Sequence, residues 1–147
     1  MGTVVVTDGR YRASIAAIRM LGRAGYRVVV TQTQADLTLE PPGFVSRYAS
    51  QSRWLEGSAD DPDYPDRLYA LLEEYDDPIL FCVGAATLNA VSRQRERFAK
   101  VCDFLIAPPS VLDALNDKET VHWRCEELGI PVPRQYGGEP ERYPVII

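Results

Sequence analysis

Two short loops hold the residues best suited to chemistry. "TDGRYR", residues 7–12, joins an apolar run to a helical pattern, and "VGAAT", residues 83–87, does the same farther along. In each, a glycine lets the chain turn. The backbone N–H groups that lead into the next helix carry the positive end of its dipole, so such a loop can hold an anion. Asp8, Gly9, Arg10 and Arg12 in the first loop and Gly84, Ala85 and Thr87 in the second are therefore the candidate substrate-loop residues. Arg10 and Arg12 would add charge-assisted hydrogen bonds to a carboxylate or phosphate. Asp8 carries the wrong sign for that task and is expected to cap the helix or to orient an arginine. The plainer alternative is that Gly9 and Gly84 only turn the chain and that both arginines are solvated.

Other chemistries find less support. No G-x-G-x-x-G occurs, since "TDGRYRAS" holds one glycine, and "TQTQ" (31–34) lacks the acid that would hold a ribose 2′-OH. A P-loop is also missing. Cys82, Cys102 and Cys125 form no C-x-x-C and are expected to be buried free thiols. His122 and Cys125 make a single H-x-x-C pair, whereas a zinc site needs about four ligands. No metal site and no catalytic residue is assigned. Lys118 stands in the first turn of a helix, where a cation opposes the dipole at a cost of about 0.3–1 kcal/mol. A nearby anionic group would give it a reason; otherwise it is an ordinary surface lysine.

The charge balance points away from nucleic acid. There are 21 acidic residues against 16 basic ones, for a net charge of −5. The arginines are scattered, and "SRQRER" (92–97) reads as the wet face of a helix. No apolar run approaches ~18 residues, so no membrane span is expected. The amino-terminal stretch has no basic region and runs straight into a strand, unlike a signal peptide. A cytoplasmic location is expected.

Both loops need a scaffold, and 147 residues suffice for about one domain, one that buries roughly 70% of the surface of its unfolded chain. "TVVVT" (3–7) is a β-branched run of the kind found in buried parallel strands. A helix follows, with Ile15, Ile18 and Leu21 on one side, and "YRVVVTQT" (26–33) is a second strand. Residues 34–57 read as irregular around Pro41-Pro42-Gly43, with room for a short strand afterwards. "DYPDRLYALLEEY" (63–75) places Leu68, Leu71, Leu72 and Tyr75 on one helical face. "PILFCV" (78–83) and "FLIA" (104–107) are further strands, with helical stretches after each. Strands that alternate with helices predict a three-layer α/β/α domain with a mainly parallel sheet. Both loops then fall at carboxyl ends of strands, where such sheets bind ligands.

The last stretch is organised differently. In "NDKETVHW", Asn116 is expected to cap a helix with Glu119 completing a capping box. Val121, Cys125 and Leu128 form its stripe and Gly129 its end. "LGIPVP" (128–133) and "YPVII" (143–147) follow. The order "NDK", "LGIPVP", "YPVII" resembles the junction between the leading domain and the ATP-grasp domain of ATP-grasp enzymes. Relatives of that kind include biotin carboxylase, the large subunit of carbamoyl phosphate synthetase and carbamoyl-phosphate-synthase-like proteins.

The resemblance implies a Rossmann-like pre-ATP-grasp domain over residues 1–115, and a helix, connector and first strand of a truncated ATP-grasp domain over 116–147. It places Lys118 toward the ATP phosphates and implies that a phosphate-binding lysine follows Ile147. The parent would be a carboxylate–amine ligase that works through an acyl phosphate, with ATP, Mg²⁺ and a small carboxylate as partners. It leaves a homodimer open, because relatives often pair through this region. The fragment itself is expected to form one wall of the cleft, to be inactive alone and to bind no cofactor tightly. A stand-alone α/β module for small-molecule binding or dimerisation is the alternative.

Overall fold

The computed structural model describes residues 2–35 and 39–133. Its centre is a five-stranded parallel sheet in the order β3-β2-β1-β4-β5. The strands are β1 (Thr3–Val6), β2 (Arg27–Thr33), β3 (Gln51–Leu55), β4 (Ile79–Phe81) and β5 (Asp103–Phe104). Between them run α1 (Arg12–Arg23), α2 (Tyr64–Leu72), α3 (Ala85–Arg93) and α4 (Arg95–Phe98). After β5 come α5 (Pro109–Asn116) and α6 (Lys118–Glu127). The fold is a Rossmann-like α/β architecture, as the alternation of patterns predicts.

The valine runs explain the centre. Val4, Val5, Val6, Val28, Val29 and Val30 are at most 1% exposed. Successive side chains in a strand point to opposite faces. Val4, Val6, Val28 and Val30 meet Ala17 and Ile18 of α1, with Phe44 and Tyr48 from the 41–49 segment against the same cluster. Val5 and Val29 therefore face the other layer. Right-handed crossovers put α1 and α2 on opposite faces of the sheet. In the α2 layer, Leu68, Leu72, Val91 and Phe98 are fully buried, and the Tyr69 and Phe98 rings meet edge-on with centroids 5.8 Å apart.

Several boundaries differ from the sequence reading. The short strand for which residues 34–57 left room is β3, paired along its whole length with β2; other bounds shift. The run 78–83 yields only the three residues of β4, because Cys82–Gly84 turn toward Asp8. "FLIA" contributes one residue, Phe104, to the two-residue β5. Asp117, not Asn116, caps α6: its carboxylate accepts from the Glu119 amide at 3.1 Å and from the Thr120 hydroxyl. Asn116 instead completes α5.

The chain divides into two compact units, Met1–Pro109 and Ser110–Ile147. The first contains the sheet. In the second, α6 buries none of its side chains, and Gly129 turns the chain with φ +68°. The connector beyond Pro133 and "YPVII" lie outside the described residues.

Candidate functional site

The strand order fixes where a site can be. From β1 the chain builds outward through β2 and β3, then crosses back to lay β4 on the other side of β1. The loops after β1 and β4 thus diverge at the topological switch point, where α/β sheets open a crevice. A polar cavity of about 140 Å³ lies there. Its walls include Asp8 and Arg10 from the first loop, Gln32 and Thr33 from β2, Ser58 and Asp60 beyond β3, and Gly84 and Ala85 after β4.

The first loop is held from all sides. The Gly9 amide donates to Thr31 O at 3.0 Å, the Arg10 amide to Gln32 Oε1 at 3.1 Å and the Tyr11 amide to Asp8 O at 3.0 Å. Gly9 O in turn accepts from the Gly43 amide at 2.9 Å. A Cβ on Gly43 would stand 2.7 Å from that oxygen, so a side chain there would push the two loops apart. An anion seated on the amides of residues 9–11 would have to displace bonds the protein already makes.

Asp8 is the hub of the site. Its backbone is left-handed, with φ 59°, a region that Asp tolerates better than most residues. Ser14 Oγ braces that turn by donating to Thr7 O at 3.0 Å and to Asp8 O at 2.6 Å. The carboxylate is buried, and its Oδ2 accepts from the Gly84 amide at 2.8 Å and from the Thr7 hydroxyl. Thr87 Oγ1 lies 3.3 Å from Oδ1 and 3.0 Å from the Tyr64 hydroxyl. The negative charge at the start of α3 is therefore the protein's own, and α1 has no side-chain cap. Gly84 permits the approach, because a Cβ there would meet Asp8 Oδ1 at 2.7 Å.

This burial shapes the neighbouring acids. Desolvation, with the Asp8 charge adding to it, pushes the Cys82 thiol far above its usual range. Tyr64 is raised in the same direction, chiefly by burial. Neither group is poised to ionise near neutral pH.

The remaining candidates are distributed unevenly. Arg10 lines the cavity, and its guanidinium donates to the Tyr11 hydroxyl at 3.0 Å and lies over the same ring. Arg12 opens α1 and is exposed. Thr87 is fully buried beneath Asp8. Lys118 opens α6, in the second unit. Among the described residues, no group of three or more His, Cys, Asp or Glu side chains could hold a metal ion.

Sequence reasoning missed Gln32, Ser58, Asp60 and Tyr64. Ser58 and Asp60 follow β3, a strand for which the sequence left room without giving its bounds. Their loop is well built: the Ser58 amide and Arg67 both bond the Asp61 carboxylate, at 2.7 and 3.0 Å. These partners, the amide foremost, hold Asp61 below the usual carboxylate range.

No protein-family model and no curated protein matches the chain. Among solved structures, it is similar to the biotin carboxylase domain of a single-chain bacterial carboxylase. The two superpose with a TM-score of 0.58 at 19% identity, over 90% of this chain and 30% of that one. The likeness is one of fold, and the chain spans less than a third of the protein it resembles.

Proposed function

We propose that the sheet-containing unit is the leading domain of an ATP-grasp enzyme, in which it forms one wall of the substrate cleft. The observation that carries this reading is the fold likeness, which takes in 90% of the chain while using only 30% of a biotin carboxylase domain. The order of "NDK", "LGIPVP" and "YPVII" adds to it. In the proposal the parent phosphorylates a carboxylate and an amine-type nucleophile then displaces the phosphate. ATP and Mg²⁺ would supply the phosphoryl group and offset its developing charge.

At the switch point the amides of residues 9–11 are engaged and Asp8 places a carboxylate at the head of α3, so the proposal assigns the triphosphate to the other half of the enzyme. What the residues of the first unit can do is bind and orient. Gln32, Ser58 and Asp60 offer hydrogen-bonding groups to a small polar substrate, and Arg10 offers a cation for its carboxylate. Arg12 would extend that positive field at the rim, and Lys118 would lie toward the phosphates.

The test is kinetic, on a gene product that contains both halves. ADP release would be screened against small carboxylates paired with ammonia or simple amines. Arg10→Ala is expected to raise KM for the carboxylate and leave KM for ATP unchanged, and Lys118→Ala to do the reverse. ATP turnover that responds to no carboxylate would contradict the proposal. The cavity also suits a stand-alone small-molecule-binding module, which would bind its ligand without ATP.

A further inference from the structure

A second concave surface lies away from the switch point, where α3 gives way to α4. On an uninterrupted helix Arg93 and Arg95 would point about 200° apart, on opposite sides. The helix breaks at Gln94, whose backbone sits at φ −116°, ψ 27°. As a result Arg93, Arg95, Arg97 and Lys100 line a single open notch of about 510 Å³, with Ser92, Pro109 and the acid Glu96 also in its wall. Four cationic side chains line this one notch in a chain whose net charge is −5.

Arg95 and Arg97 are held by protein partners, Arg97 through an ion pair with Asp66. Arg97 Nη1 donates to Gln94 Oε1 at 2.9 Å and to Asp66, and its guanidinium lies 4.4 Å from the centre of the Tyr69 ring. Arg95 Nη1 donates to Ile106 O at 3.3 Å. Ser92 Oγ is committed to Ala107 O at 2.7 Å, which ties the notch floor to the segment after β5. The break brings the four residues to one surface, where a continuous helix would spread them around its circumference.

We propose that this notch binds a phosphate-bearing small molecule. Guanidinium groups pair with phosphate oxygens in two-pronged fashion, and an ammonium adds a point charge. A phosphate presents more acceptor oxygens than a carboxylate to several donors that line one notch, so it makes fuller use of the arrangement. The notch is distinct from the cavity at Asp8 and does not depend on the role assigned to that cavity.

Inorganic pyrophosphate is the probe. Titration into the labelled 147-residue chain, followed by amide chemical shifts, is expected to move signals of residues 92–100 with a saturable curve. Arg93→Gln combined with Lys100→Gln, both exposed positions, is expected to weaken binding by about tenfold or more. Arg19→Gln, an exposed charge on α1, should leave it unchanged, and the fold of each variant is checked from its amide spectrum. Shifts scattered over the surface, equal weakening by the Arg19 variant, or equal affinity for citrate would overturn the proposal.

Discussion

The β1–β2 half of the sheet and the neighbouring strand β4 share a register yet are covered very differently on the α1 face. Val4 and Val6 of β1 align with Ile79 and Phe81 of β4, so all four point the same way. The two valines are fully buried beneath α1, while Ile79 remains 38% and Phe81 45% exposed. On the opposite face the halves agree, since Val5 and its partner Leu80 are both buried. A parallel sheet is normally covered on both sides. The covered half is where the first loop is anchored, through Gly9 to Thr31 and Gly43 and through Arg10 to Gln32. The hydrogen bonds that hold the first loop are thus concentrated on the covered half, and β4 adds the Asp8–Gly84 link that follows it.

Mutations on the two halves should separate sharply. Ile18→Ala empties a fully buried position over β1 and β2 and is expected to cost about 2–5 kcal/mol, read from urea unfolding. A loss below 1 kcal/mol would mean that the α1 layer is far looser than described. Asp8→Ala leaves the Gly84 amide and two threonine hydroxyls without their acceptor, at about 1–3 kcal/mol for a buried donor so stranded. Asp8→Asn, which keeps an acceptor oxygen and tolerates φ 59°, should lose less. If the two variants melt together, the carboxylate does not hold the loops. Tyr64→Phe removes a hydroxyl 3.0 Å from Thr87 and should cost about 1 kcal/mol. Phe81→Ser lies on the open face and is expected to change stability by no more than about 0.5 kcal/mol. A large loss there would show that the apolar groove it shares with Ala13, Ala16 and Met20 is closed in solution.

Much of this frame was legible in the residues, for local reasons. The valine runs of β1 and β2 and the leucine spacing of α2 announce their structures without tertiary help. β3 was harder to read, because "QSRWL" is an edge strand with alternating burial and charged neighbours, unlike a buried parallel strand. Without its bounds, Ser58 and Asp60 could not be placed at a strand end. The loops after β1 and β4 could be named as site loops from topology alone. That they are bonded to each other could not, since the Asp8–Gly84 contact spans 76 positions and depends on where the sheet places both ends. The cap of α6 shifted by one residue because Asn116 still satisfies α5, which leaves Asp117 to begin the next helix.

The central proposal is that this domain supplies one wall of a cleft whose nucleotide seat lies on another part of the enzyme. Thermal melts with and without millimolar Mg-ATP test it most directly, run on the 147-residue chain and on a gene product that continues through the ATP-grasp half. A ligand at 100 times its Kd stabilises the fold that binds it by about 2.7 kcal/mol. The account predicts no movement of the midpoint for the short chain and a clear rise for the longer one. A rise in the short chain, or a reading frame that offers no longer one, would contradict it.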